Sequence, residues 1–301
     1  MKKQFKKIIK NSLQALGNRL LGTEIIKDLD RIGSVDKGMQ ILLDLKYQEL
    51  LRKNEPLPKF DEVEFRTFSQ NGEDGILLYL FSLLGTTNKK IVDIGCGNGI
   101  VSNGANLIIN HGWTALLLDG NENNIRLGRE FYSKCPDTAV WPPTFVQAWI
   151  TKDNINSLIS TYSFEGEIDL LSIDIDGIDY WIWQAIDCIK PRVVVLEYMD
   201  VWGPDISVTV PYKEDFVGKY DEFGLYYGSA SLAAFVKLGK EKGYRLVGCQ
   251  RYGFNAFFVR VGIGEDIFPE ISAGECFNHP KTKYGIEKRL LAAKNYQWLD
   301  V

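Results

Sequence analysis

The sequence has few of the residues on which many metal and redox sites depend. Of 301 residues only two are histidines, and the five cysteines are widely spaced without a Cys-x-x-Cys pair. The cysteine pattern argues against a zinc site and against a disulfide framework, and it predicts reduced thiols in a cytoplasmic protein. Both histidines lie beside helix-stop or proline signals, so we interpret His111 and His279 as structural.

Strong charge and long apolar runs are also lacking. The net charge of −4 provides no field that would recruit nucleic acid. No apolar run approaches the roughly 20 residues that a bilayer span needs, so no transmembrane segment is predicted. The first residues show no signal-peptide core followed by a cleavage site. The length and the apolar content of 45% suit one large α/β domain with an added segment.

The chain divides into three parts. Residues 1–60 form a predicted helical extension, residues 61–261 the main domain, and residues 262–301 a tail with a final helix near 285–297. Between Phe5 and Leu20, apolar residues recur at helical spacing, with lysines mostly on the opposite side. Such a helix could pack on the core, pack on a partner subunit in a homo-oligomer, or rest on an anionic membrane surface. A second helix is predicted at about 38–53.

From residue 61 onward, apolar strand patterns alternate with helical patterns. The predicted strands are 91–95, 115–119, 144–148, 168–174, 192–198, 244–248 and 256–261. The predicted helices are 74–84, 103–110, 122–132, 153–161, 178–189 and 232–242. This alternation predicts an α/β fold with a mostly parallel sheet covered on both faces, which an antiparallel hairpin closes.

The first strand runs into a glycine-rich turn, Asp93-Ile94-Gly95-Cys96-Gly97-Asn98-Gly99. Glycines at this point allow backbone to approach a ligand closely. The third glycine comes one residue too early for a dinucleotide fingerprint. A carboxylate at Asp93 would repel a pyrophosphate, but it suits the cationic amino-acid end of S-adenosylmethionine. We therefore prefer this donor, with an NAD site as the alternative.

The second strand ends in Asp119-Gly120-Asn121. An acidic residue at this position is typical of α/β nucleotide sites, where it binds ribose hydroxyls. Ala148 and Trp149, at the end of the third strand, would border the adenine. Gln70 and Glu73 precede the first strand and could fold over the methionine end of the donor.

Carboxylates follow the fourth and fifth strands. Asp174 and Asp176 come at the end of one, and Glu197 and Asp200 at the end of the next. Their mutual repulsion would be relieved by a divalent cation with oxygen ligands, such as Mg²⁺ or Mn²⁺, or by one carboxyl of raised pKa that acts as a general base. An Asp-x-Asp at a strand end is also found in metal-dependent glycosyltransferases, which we keep as an alternative.

An aromatic-rich insertion, residues 199–229, interrupts the alternation after the fifth strand. Ligands bind at this edge of open α/β sheets, so the insertion is either a lid and acceptor pocket or a structural cover.

Taken together, these segments resemble the FkbM-like class I methyltransferases of bacteria over about residues 65–260. The resemblance is carried by seven sequence segments: 69–75, the 93–99 turn, Asp119, 172–180, 195–198, 229–232 and 255–260. It implies a Rossmann-like seven-stranded fold, S-adenosylmethionine as donor, and O-methylation, commonly of a carbohydrate.

The resemblance also implies roles for individual residues. Gly95, Gly97 and Asn98 would approach the donor, with Gly120 and Asn121 near its ribose. Metal-dependent sugar methyltransferases of similar fold would place a cation at Asp174 and Glu197, with Asp200 as third ligand and Asp176 as base or further ligand. A module that binds the donor without catalysis is the remaining alternative.

Overall fold

The computed structural model describes residues 35–220, 222 and 225–301. The basic amphipathic pattern between Phe5 and Leu20 therefore lies outside the described residues. Among the described helices, none has both the length and the apolar character that a membrane span requires.

Helices and strands alternate through most of the chain. The helices are α1 (Lys37–Arg52), α2 (Phe60–Val63), α3 (Glu73–Leu84), α4 (Ala105–His111), α5 (Glu122–Lys134), α6 (Ile155–Thr161), α7 (Asp179–Ala185), α8 (Leu232–Glu241) and α9 (Pro280–Ala293). The strands are β1 (Lys90–Ile94), β2 (Thr114–Asp119), β3 (Thr144–Gln147), β4 (Gly166–Ile173), β5 (Ile189–Glu197), β6 (Val208–Thr209), β7 (Lys219–Tyr220), β8 (Tyr226–Tyr227), β9 (Tyr244–Cys249), β10 (Asn255–Arg260) and β11 (Leu299–Asp300).

Seven of the strands form one sheet, in the order β3-β2-β1-β4-β5-β10-β9. The five strands from β3 to β5 are parallel, and β10 runs antiparallel to both of its neighbours. This is the seven-stranded Rossmann-like layout of class I methyltransferases, so the predicted fold class is confirmed. Because strand order reverses between β1 and β4, the carboxyl ends of these strands border a crevice.

The sheet is covered on both faces, which explains its continuous apolar strands. Val92 and Ile94 contribute to a core with α6, α7 and α8. Ile91 and Leu117 point the other way, into a core with α1, α3, α4 and α5. Alternate residues of each strand thus enter opposite cores, and the polar residues that follow the strands lie at the carboxyl edge.

Two predicted helix bounds are corrected. The last helix begins at Pro280, not near 285, because the ring Nδ1 of His279 accepts a hydrogen bond from the Lys281 amide and caps it. Helix α7 ends at Ala185 and not at 189, since Ile189 already begins β5.

Candidate functional site

Two connected cavities lie at the carboxyl ends of the parallel strands. One has a volume of about 280 Å³ and lies along β2 and β3, and the other, of about 340 Å³, reaches from β1 to β5 and β10. Both are lined by Gly95, Asp174 and Asp176, so they meet at the ends of β1 and β4.

The glycine turn bends back from β1 at this junction. The amides of Gly95 and Cys96 donate to the Leu118 carbonyl at 2.9 and 3.1 Å. Gly95 has φ +83°, and a Cβ there would fall 1.9 Å from the Asp174 carbonyl oxygen. Glycine is therefore required for the turn to pass this close to the end of β4.

Asp119 connects the turn to β2. Its Oδ2 accepts a hydrogen bond from the Gly97 amide at 2.9 Å, and its Oδ1 accepts one from the Asn121 amide at 2.8 Å. Oδ1 also accepts from the Asn124 side chain at 3.3 Å, so Asp119 keeps the second lone pair of Oδ2 to accept from a hydroxyl group. Its neighbours in the 280 Å³ cavity include Gly120, Ala148 and Trp149.

Two residues expected at the donor have other partners. The Oδ1 of Asn98 accepts from the Ile100 amide, and Asn98 lines a separate surface hollow. The side chain of Asn121 accepts from the amides of Asn123 and Asn124 as the N-cap of α5. Neither side chain is among those that line the two cavities, whereas Asn124 does line the first.

Asp93 lies at the β1 end of the 340 Å³ cavity. It is 2% exposed, and burial raises the pKa of its carboxyl to about 7. Its Oδ2 has no hydrogen-bond partner. A buried, unpartnered carboxylate oxygen favours a cationic ligand, since an ammonium would both donate to it and offset its charge.

The segment before α3 forms the roof of the same cavity. Gln70, Asn71 and Glu73 line it. Asp74 holds the segment in place, because its Oδ2 accepts from the amides of Thr67, Phe68 and Ser69 at 2.6 to 2.9 Å. Burial nevertheless raises the pKa of Asp74 to about 6.

Three carboxylates converge at the ends of β4 and β5. One oxygen each of Asp174, Asp176 and Glu197 lies within 4.8 Å of the others. Burial and the neighbouring Glu197 raise the pKa of Asp174, and burial raises that of Glu197. Two carboxylates this close repel each other when both are ionised, so without a counterion the site favours a proton on one of them.

A turn after β4 brings Asp174 and Asp176 together. β4 ends at Ile173, one residue before the predicted bound, and Asp176 has φ +55°. Asp179 fixes this turn: its Oδ1 accepts from the Ile175 amide and its Oδ2 from the Gly177 amide.

Asp200 has partners outside the carboxylate cluster. Its carboxylate accepts from Lys281 at 3.0 Å and from Arg289 at 2.8 Å, both on α9. These cations already neutralise its charge, so Asp200 is not available to the carboxylate cluster.

The structure adds residues that the sequence interpretation did not assign to the site. Asn124, Ile150 and Phe216 line the first cavity and Asn255 the second. Asn255 is the first residue of β10. Because this strand is antiparallel, its first residue lies at the edge where the parallel strands end, and this was the available signal.

The insertion contacts the site at both cavities. The indole Nε1 of Trp149 donates to the Glu214 carbonyl, and the Tyr226 hydroxyl donates to the Asp176 carbonyl at 2.8 Å. Phe216 lines the first cavity and Tyr220 the second. The insertion thus forms part of the wall of each cavity.

A larger groove, of about 680 Å³, lies elsewhere, between α2 and the tail. The carboxylate cluster, the glycine turn and Asp119 do not line it, so we do not place the chemistry there.

No protein-family model matches the chain, and no curated protein sequence matches it. Solved structures do resemble it.

Magnesium protoporphyrin IX methyltransferase from Synechocystis PCC 6803, with bound SAM, is 14% identical, with 62% of this chain and 77% of that chain covered and a TM-score of 0.38. An S-adenosylmethionine-dependent methyltransferase from Clostridium acetobutylicum is 11% identical, with 73% and 98% covered and a TM-score of 0.41. The CcbJ methyltransferase from Streptomyces caelestis is 12% identical, with 60% and 87% covered and a TM-score of 0.40. At these identities and TM-scores, the activities of the three proteins cannot be assigned to this chain. The fold is identified by the strand order of the sheet.

Proposed function

We propose that the chain is an S-adenosylmethionine-dependent O-methyltransferase. The observation that carries the proposal is the pairing of Asp119 with the Gly97 amide, at a cavity that is also lined by Asp174 and Asp176 of the carboxylate cluster. A nucleoside-binding acid and a cluster of candidate bases thus share one crevice.

The donor would occupy both cavities. Asp119 would accept from the ribose hydroxyls, and Trp149 and Ile150 would border the adenine in the first cavity. The methionine end would extend into the second, where the unpartnered Oδ2 of Asp93 would accept from its ammonium. Gln70 and Glu73 would cover this end.

The chemistry asks little of the protein beyond alignment. The sulfonium already activates the methyl group, so the site must place an acceptor oxygen in line with it. The methyl group passes to the oxygen, S-adenosylhomocysteine leaves, and the hydroxyl proton passes to a carboxylate. Without a bound cation, Asp176, which lines the cavity from its turn, is the proposed base, with Asp174 beside it.

A divalent cation would fit the carboxylate cluster. The donor atoms of Asp174, Asp176 and Glu197 are all oxygens, which suits Mg²⁺ or Mn²⁺. When bound, such an ion would lower the pKa of a coordinated acceptor hydroxyl.

We propose a neutral carbohydrate as the acceptor. Every charged side chain that lines either cavity, among the described residues, is a carboxylate. This composition does not favour the diphosphate of a sugar nucleotide, and it weakens the glycosyltransferase alternative. The aromatic rings of Tyr220 and Phe254 line the acceptor side and suit a sugar face. The resemblance to FkbM-like proteins supports the same class, and five unpaired cysteines support a cytoplasmic location.

The test compares Asp119→Ala with Asp176→Asn. Thermal shift and calorimetry with S-adenosylmethionine, S-adenosylhomocysteine, NAD and sugar nucleotides, each with Mg²⁺ or EDTA, identify the ligand. A ligand at about 100 times its Kd adds roughly 2.7 kcal/mol of stability. We expect the two adenosyl-sulfur ligands to stabilise the wild type, Asp119→Ala to lose this binding, and Asp176→Asn to keep it but to lose turnover.

A metal-dependent shift with a sugar nucleotide alone would instead support the glycosyltransferase. Donor binding with no turnover of any carbohydrate would support a non-catalytic module. Equal loss of donor binding in both variants would contradict the assigned roles.

A further inference from the structure

The second cavity contains a buried amide whose orientation is dictated by its neighbour. Asn255 is 6% exposed, and its Nδ2 donates to Glu73 Oε1 at 2.9 Å. The other oxygen of Glu73 accepts from the Asn71 amide, so both oxygens act as acceptors. The amide nitrogen of Asn255 is therefore the atom that faces Glu73.

The amide oxygen is consequently left without a donor. Asn255 Oδ1 is buried and has no hydrogen-bond partner, and Asn255 lines the 340 Å³ cavity. Most buried polar atoms in folded proteins have a partner, so this oxygen is available to a group that enters the cavity.

Strand register places this oxygen beside the carboxylate cluster. Asn255 on β10 is directly opposite Glu197 on β5. Side chains of directly opposed residues in an antiparallel pair project from the same face, with Cβ atoms about 4.5–5.5 Å apart. Asp93, in contrast, lies three strands away on β1, or about 14 Å at the usual strand spacing. The ammonium that Asp93 would hold therefore cannot also reach Asn255.

We propose that Asn255 supplies a neutral fourth oxygen ligand to a divalent cation held by Asp174, Asp176 and Glu197, and that Glu73 orients its amide. The inference rests on the metal-assisted form of the proposed function. The charged side chains that line the cavity with Asn255 are all carboxylates, and one cation would satisfy the three of the cluster and the Asn255 oxygen together. Glu73 acts through Asn255 as an outer carboxylate that fixes a ligand.

The experiment measures Mn²⁺ binding to the full chain, by electron paramagnetic resonance of the free ion, without donor or acceptor. We expect Asn255→Ala to weaken Mn²⁺ binding roughly tenfold or more, and Glu73→Gln to weaken it within the roughly 10–100-fold range of outer-ligand changes. Asn255→Asp retains an oxygen at the same place and should bind Mn²⁺ at least as well as the wild type.

The matched control is Asn103→Ala. Asn103 lines the same cavity, but its Nδ2 donates to the Ser172 hydroxyl. Its removal should leave Mn²⁺ binding unchanged.

Three outcomes would overturn the inference: no Mn²⁺ binding to the wild type, unchanged binding in Asn255→Ala, or equal loss in Asn255→Ala and Asn255→Asp. Equal loss in both variants would mean that Asn255 positions Glu73 through its hydrogen bond and does not bind the cation. Calorimetry with S-adenosylhomocysteine on every variant tests the proposed function separately, because donor binding at Asp119 and Asp93 does not require the cation.

Discussion

At the scale of single residues, two glycines of the first turn share a left-handed backbone but differ in their surroundings. A Cβ on Gly95 would collide with the Asp174 carbonyl, whereas Gly97, with φ +57°, has no atom within 4 Å of that position. The space beside Gly97 lies where we place the donor. The packing of the protein thus requires a glycine at 95, whereas at 97 we propose that the donor requires it as well as the left-handed backbone.

We expect Gly97→Ala to fold but to bind S-adenosylhomocysteine at least about tenfold more weakly, which is 1.4 kcal/mol. The left-handed backbone should cost only about 1–2 kcal/mol of stability. Gly112→Ala is the control, since Gly112 has φ +68°, ends α4 away from the cavities, and also has no atom nearby. Thermal unfolding and calorimetry of both variants make the comparison. Equal donor affinity in the two would place the donor elsewhere.

We expect Asp93 to make donor binding dependent on pH. Its pKa of about 7 means that the carboxyl is mostly protonated at pH 6 and mostly ionised at pH 8. Only the ionised form attracts an ammonium, so the affinity for S-adenosylhomocysteine should rise with pH. The ionised fraction changes from about one-tenth to about nine-tenths over this range, which predicts a change of up to roughly ninefold.

The measurement is calorimetry from pH 6 to pH 8 on the wild type and on Asp93→Asn. The variant has no carboxyl to titrate, and the difference between the two curves removes the titration of the ligand. Parallel curves would mean that Asp93 does not meet the ammonium.

At the scale of elements, the strands and the residues that follow them could be predicted, but their cross-chain contacts could not. Buried parallel strands are uninterrupted apolar runs, so the ends that carry Asp93, Asp119 and Asp174 could be located. The hydrogen bond from Trp149 to Glu214 joins residues 65 positions apart, so it cannot be predicted from the local sequence around either residue. The register that sets Asn255 against Glu197 likewise depends on which strands become neighbours.

The insertion leads to a prediction at this scale. Trp149 is 53% exposed and forms one wall of the first cavity, while its indole holds the insertion through Glu214. Stacking of a base on an aromatic ring contributes about 1–3 kcal/mol. We expect Trp149→Ala to weaken S-adenosylhomocysteine binding by about tenfold or more, which is 1.4 kcal/mol or more.

Trp149→Phe separates the two roles of the side chain, because it keeps a ring face but loses the hydrogen bond to Glu214. Most of the affinity should remain if the ring stacks on adenine. Trp141→Ala is the control, since Trp141 is 76% exposed and does not line either cavity. If calorimetry shows the same loss of S-adenosylhomocysteine affinity for Trp149→Phe as for Trp149→Ala, the effect comes from the hydrogen bond to Glu214 and not from stacking.

At the scale of the whole molecule, the tail and the insertion stabilise each other. Trp202 packs edge-on against Trp298 with ring centroids 5.1 Å apart, and Tyr227 stacks on Tyr296 at 4.6 Å. Strand β11 of the tail pairs with β6 of the insertion. Asp200 adds the ion pairs to α9. The sequence placed Asp200 among the metal ligands because it follows Glu197 closely, whereas its partners lie 81 and 89 residues away.

Asp200→Ala therefore tests how the molecule is held together. Asp200 is 4% exposed, and its loss leaves Lys281 and Arg289 without their carboxylate. Lys281 and Arg289 are 33% and 26% exposed, so the free energy of unfolding should fall by about 1–3 kcal/mol in denaturant titrations, between the values of exposed and buried pairs. Glu270→Ala removes the exposed partner of Lys240 and should cost no more than about 1 kcal/mol.

Mn²⁺ affinity should be unchanged in both variants, because the ion pairs already occupy Asp200. If Asp200→Ala keeps its stability but loses Mn²⁺, then Asp200 is a ligand after all, and the cation site extends from β5 toward α9.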